Sequence, residues 1–175
     1  SLPCAMLSMD AMRDELAKIT AQTDRPYNVN FFCHTPPTPQ ATRDKAWQDA
    51  LLPYYNQCGL QADSPAGAGR TPFSAEHSDV LEQFKPPVVS FYFGLPSSDL
   101  LARVRSWGSK IISSATTVDE AKWLASQGVD AVIAQGVEAG GHRGIFMTND
   151  PCADIDKQMG TFALLPQIVR AVNVP

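Results

Sequence analysis

The sequence contains no apolar run approaching the ~20 residues a membrane-spanning helix requires, which argues against a transmembrane protein. It has no excess of positive charge: fourteen Lys and Arg stand against eighteen Asp and Glu, a net charge of -4. Nucleic-acid binders usually carry a basic face, so this balance argues against that class. Cysteine is scarce. Cys4, Cys33, Cys58 and Cys152 include no CxxC pair, and His34, His77 and His142 complete no metal-ligand spacing with them. Neither a zinc site nor a dithiol redox motif is written here. A disulfide framework is not expected in a chain this large and this poor in cysteine, so the thiols are read as free, in a reducing, cytoplasmic compartment. Ser1 to Met9 has no positive n-region and no cleavage site, so no signal peptide is expected. The GxGxxG and GxxxxGK phosphate loops are also missing.

What is present fits a globular domain, or a piece of one. Of 175 residues, 44% are hydrophobic, too many for a disordered chain. Both ends read as cut edges of a larger α/β protein. The chain starts two residues from an apparent helix, and QIVRAVNVP reads as a helix, a turn and the start of a further strand.

Ser8 can cap a helix to about residue 21, with Met12, Leu16 and Ile19 on one face. Residues 27–33 read as a strand, apolar apart from two asparagines. His34 to Pro39 holds three prolines and cannot be regular. Residues 41–57 look helical, with Trp47, Leu51 and Tyr54 on one face and Pro53 expected to kink or end the helix. A Gly-, Ala- and Pro-rich loop follows over 62–71. The segment 34–75 thus reads as a helical and loop insertion in a single domain spanning 1–175.

Beyond it the pattern is regular. Helices are expected at 76–84, from Ser97 or Ser98 to before Gly108, from Thr117 to Gly128, and at 162–172. Strands are expected at 88–94, 110–115 and 131–135. Thr117 and Glu120 have capping-box spacing, with Glu120 reaching back to the Thr117 N–H. Apolar strands alternating with helices imply a parallel sheet covered by helices. That leaves a (β/α)8 barrel or an open doubly wound sheet, and in either, ligands bind at the carboxyl ends of the strands.

The most informative segment is Gln135-Gly-Val-Glu-Ala-Gly-Gly-His-Arg-Gly144, which follows a buried strand. Its four glycines let the backbone approach a ligand and expose N–H groups toward it. Histidine exchanges a proton near neutral pH, so His142 in such a loop is a candidate acid or base.

AQGVEAGGHRG resembles the signature of the class I nitronate monooxygenases, formerly called 2-nitropropane dioxygenases. RPYNVNFFCHTPP, VVSFYFGLP, SSATTVDEAKWL and GTFALLPQIV are similar to the same family, in the same order. The resemblance implies a (β/α)8 TIM barrel, present here as a partial barrel of about four βα units. It also implies bound FMN without a metal, and oxidation of alkyl nitronates, or neutral nitroalkanes, by O2 to a carbonyl compound and nitrite. It assigns the catalytic role to His142 and flavin contacts to Asn28, Gln135 and Gly140. Tyr92 departs from the family, which often has His there in an SFHFG pattern. The loops that bind the FMN phosphate in the family have no counterpart in this sequence.

Other candidates have plainer readings. His34 can line a pocket, but Thr-Pro-Pro after it suggests a rigid loop. His77 is expected on a solvated helix surface and Cys33 as a packed thiol. Ser113 and Ser114 have no histidine near them in sequence. Met6, Met9 and Met12 suit helix packing. Competing functions are an FMN-dependent NAD(P)H reductase acting on a quinone or enoyl thioester, and a catalytically silent fragment.

Overall fold

The computed structural model describes residues 1–60 and 70–175, so the loop expected over 62–71 lies almost wholly outside the described residues. The chain divides into two compact units, one of residues 1–34 with 71–175 and one of residues 35–70.

The first unit is built on five strands: β1 (Leu2–Pro3), β2 (Asn28–Phe32), β3 (Val88–Tyr92), β4 (Lys110–Ala115) and β5 (Ala131–Ala134). They form one sheet in the order of the chain, β1-β2-β3-β4-β5, and every pair is parallel. The order never turns back, as it must in a doubly wound sheet. The sheet is an arc of a (β/α)8 barrel. The four strands expected from sequence are present, and β1 precedes them. A two-residue strand has no alternation to read; Leu2 and Pro3 are strand only because they lie beside Val29 and Asn30.

The helices are α1 (Met9–Gln22), α3 (Ala75–Phe84), α4 (Ser98–Ser106), α5 (Val118–Ser126), the single turn α6 (Pro151–Asp154) and α7 (Thr161–Ala171), with α2 in the second unit. Period-two alternation sorts the strand residues. Val29 and Phe31, Val89 and Phe91, Ile111 and Ala115 are sealed in one core with Met12, Leu16, Val80, Leu81, Leu101, Val104, Leu124, Leu164 and Ile168 from the helices. The other face carries Asn28, Asn30 and Phe32 on β2, Ser90 and Tyr92 on β3, and Ile133 on β5. Helix ends follow local chemistry. Ser8 accepts from the Ala11 N–H, and Gly128 follows α5 with φ of 77°, a conformation that favours glycine.

Two expectations are corrected. Glu120 does not complete the capping box. Thr117 Oγ1 accepts from the Glu120 N–H, but the Glu120 carboxylate reaches past Thr117. One oxygen accepts from the N–H (2.6 Å) and hydroxyl (2.8 Å) of Thr116, and the other from the N–H groups of Phe146 (2.7 Å) and Met147 (3.1 Å). A fully buried carboxylate needs this many donors to replace water, and a neighbour in the tertiary structure supplies half of them.

His77 is not solvated. Its side chain is 2% exposed, between Phe31 and Phe73, and Nδ1 accepts from the Ser74 N–H (3.2 Å) at the start of α3. Burial pulls its pKa below the ordinary 6.5, only partly opposed by Glu76.

The second unit contains α2 (Ala41–Gln57), and this helix runs through Pro53 rather than ending at it. Proline removes one intrahelical hydrogen bond, but the last turns need not break where little packs against them. No α2 residue is buried, and Trp47 and Tyr54 of the expected apolar face are largely exposed.

Glu120→Gln keeps the shape but replaces one acceptor oxygen with a donor facing donors. It should lower unfolding stability by about 1–3 kcal/mol, read from the urea midpoint at constant m. His77 predicts a pH effect of definite sign. The unfolded chain takes up a proton near pH 6.5 while folded His77 resists it. Its stability contribution is therefore intact above that pH and is lost as pH falls toward the depressed folded value, at no more than about 1.4 kcal/mol per pH unit. Urea melts between pH 7 and 5 should show a shallower decline in His77→Gln than in the unmodified protein.

Candidate active site

The carboxyl ends of β2, β3 and β5 meet in one aromatic cluster. Phe32 ends β2 and Tyr92 ends β3, with their rings 5.8 Å apart. Phe93 follows with φ of 66°, a left-handed conformation that bulky side chains rarely adopt. Its ring packs edge-on to Phe32 at 5.2 Å and to Tyr92 at 4.7 Å. The His142 imidazole lies against Phe32 at 5.3 Å and Phe93 at 6.1 Å. His34 touches the same two rings, at 6.2 and 6.1 Å, and its buried Nδ1 has no hydrogen-bond partner. The chain after β2 therefore brings His34 beside the site in spite of the Thr-Pro-Pro that follows it. No sequence pattern links these two histidines, which are more than a hundred positions apart.

The loop after β5 is tied down along its length. Gln135 donates through Nε2 to the Tyr92 hydroxyl and to the His142 carbonyl (3.1 Å), and its Oε1 accepts from the Gly144 N–H (2.7 Å). Tyr92 donates its hydroxyl to the same His142 carbonyl. Burial pushes the Tyr92 phenol above its ordinary pKa, with Gln135 and Arg143 opposing, so it keeps the proton it donates. The Arg143 guanidinium folds back onto the carbonyls of Gly136 (2.7 Å) and Val137. The Glu138 carboxylate caps α7, accepting from the Thr161 N–H at 2.9 Å where Gly160 has no side chain to do so. These bonds to Thr161 hold the Glu138 carboxyl below its usual range, with Arg143 adding to the effect. Glu120 anchors the far end of the loop at Phe146 and Met147.

Gly136, rather than Gly140, is the glycine that packing requires. A Cβ at Gly136 would sit 2.3 Å from the backbone nitrogen of Thr161, whereas a Cβ at Gly140 would meet nothing within 4 Å.

Of the four residues assigned from the resemblance, Gln135, Gly140 and His142 share this loop. Asn28 does not join them. It is the first residue of β2, paired with Val88 at the start of β3, so it stands at the amino end of the sheet. Its Nδ2 donates to Ser1 Oγ and Ser90 Oγ, both at 2.8 Å, and its Oδ1 is buried without a partner. Asn30 has the same parity two residues nearer the cluster, with Oδ1 accepting from Ser90 Oγ at 2.8 Å. Alternation alone could not make the distinction, because Asn28, Asn30 and Phe32 share a face. It depended on where the strand begins, which sequence places poorly.

The model of the family described as "Nitronate monooxygenase" matches residues 1–175. The chain belongs to the nitronate monooxygenase family. A nitronate monooxygenase from Paraburkholderia phytofirmans is 37% identical over 100% of this chain and 47% of its own length. One from Pseudomonas aeruginosa is 34% identical over 91% of this chain and 45% of its own. The chain thus spans about half the length of the curated nitronate monooxygenases it matches. A solved nitroalkane oxidase from Streptomyces ansochromogenes superposes with a TM-score of 0.83 at 34% identity, over 99% of this chain and 48% of that one.

The two glycines separate packing from ligand contact. Gly136→Ala should cost about 1–3 kcal/mol, because the obstructing atom is backbone. Gly140→Ala should melt within about 0.5 kcal/mol of the unmodified protein, as substitutions in open space do. Thermal melts of the two variants check the ranking.

Proposed function

We propose that the protein containing this chain is an FMN-dependent oxidoreductase that converts alkyl nitronates, and neutral nitroalkanes, to carbonyl compounds and nitrite with O2. The observation that carries the reading is His142, presented on an aromatic floor at the carboxyl ends of the strands, in a chain of this family.

The residues suit a flavin ring. A planar heteroaromatic needs a flat apolar surface and a few polar partners at its edge. Phe32 and Phe93 offer the surface. Gly140 offers backbone that nothing obstructs. Gln135 fixes the loop presenting that backbone, with its amide engaged by Tyr92, His142 and Gly144. Asn30 replaces Asn28 in this reading, because it lies nearer the cluster on the same face. FMN, when bound, supplies a two-electron acceptor that O2 can reoxidise.

The chain's own residues handle the proton and the surroundings. A nitronate has already lost its α-proton, whereas a neutral nitroalkane must lose it first. His142 Nδ1 or Nε2 takes it as general base. Phe32 and Phe93 keep water from one side of the imidazole and give a small alkyl group an apolar contact. The segment of about 34–75 is read as an insertion in a single FMN-binding domain.

His142→Asn keeps a hydrogen-bonding side chain but cannot accept the proton. It should slow turnover of a neutral nitroalkane by ~10²–10⁴-fold and spare the preformed nitronate. Oxygen consumption with both substrate forms, beside the flavin absorbance, is the measurement. Equal loss on both forms with flavin retained would remove His142 from the role of base.

A further inference from the structure

Tyr92 ends β3 and Gln135 directly follows β5, strands that are not neighbours, since β4 runs between them. The two residues meet because both side chains lie on the inner face. Phe91 pairs with Ser113 and Ser114 pairs with Ile133, which sets Tyr92 level with Ser114 and Ile133 and puts Gln135 two residues further along that face. The result is a closed set of bonds. The Tyr92 hydroxyl accepts from Gln135 Nε2 and donates to the His142 carbonyl; Gln135 Nε2 donates to that carbonyl as well; Gln135 Oε1 accepts from the Gly144 N–H. The backbone is held at residue 142 and again at residue 144, on both sides of Arg143. The Tyr92 ring also packs against Phe32 and Phe93, the two rings that the His142 imidazole touches.

We propose that Tyr92 is a positioning residue for His142: its hydroxyl, together with the Gln135 amide, clamps the backbone that carries the imidazole. The proposal rests on His142 acting as base. It gives Tyr92 a role that follows from its being tyrosine. A phenol at this reach both accepts from Nε2 and donates to a carbonyl, and phenylalanine can do neither.

The test is Tyr92→Phe in the protein containing this chain, which keeps the ring and its packing. Without the hydroxyl, Gln135 loses one of its three partners and the loop loosens. Amide exchange at Gly144 should accelerate about 3- to 10-fold, the effect of losing one net hydrogen bond. The His142 ring should gain mobility in NMR relaxation. Turnover of a neutral nitroalkane should fall about 10- to 100-fold in kcat, with KM, nitronate turnover and flavin content within about two-fold. A residue that only supported the fold would lower both substrate forms and flavin content together. Unchanged Gly144 exchange would overturn the clamp. Loosened exchange with full kcat on the nitroalkane would overturn positioning, as would equal loss on both forms or loss of flavin. If the unmodified protein oxidises neither form, the functional reading fails. The exchange and relaxation measurements then decide by themselves whether Tyr92 holds His142.

Discussion

A parallel strand has two faces, and the helices that follow the strands in this chain cover only one of them. Everything else depends on that division. Val29, Phe31, Val89, Phe91, Ile111 and Ala115 are sealed under α1, α3, α4, α5 and α7, and their burial supplies the main driving force for the unit. The residues between them in sequence are forced to the other face. Phe32, Tyr92 and Gln135 are brought together because each is one step out of phase with the core.

The loop after β5 is held mainly by side chains reaching backbone groups. Gln135, Glu138, Arg143 and Glu120 each bond to main-chain atoms, from four directions. This suits a glycine-rich segment, which has little side-chain packing of its own and a large conformational entropy to overcome. The charged members also act elsewhere: Glu138 caps α7, and Glu120 holds Thr116 at the end of β4. The loop that presents His142 is thereby coupled to the stability of its neighbours, so a substitution at Glu120 is felt both in the fold and at the site.

Much of this was legible along the chain. Four strands and the larger helices follow from apolar runs, caps and glycine stops, all local signals. The His142 loop stood out because glycine density after a buried strand is a local pattern too. What sequence misplaced shares one cause. Asn28 and Asn30 differ by one turn of the alternation, and only the start of β2 beside Val88 shows which stands nearer the cluster. His77 looked solvated because Phe31 and Phe73 are far from it or unremarkable in sequence. Glu120 had the spacing of a capping box, yet Phe146 and Met147 offered donors that no local window contains.

The sequence by itself determined the α/β class, the approximate position of four of the strands and the identity of the loop that carries His142, because periodicity and backbone preference act over a few residues. Only the tertiary structure decided that β1 is a strand, that His34 and His142 share Phe32 and Phe93, and that Tyr92 reaches Gln135 across β4. Those contacts join residues whose separation along the chain carries no periodicity. They exist only once parallel pairing has set the register and burial has chosen which face each side chain must take.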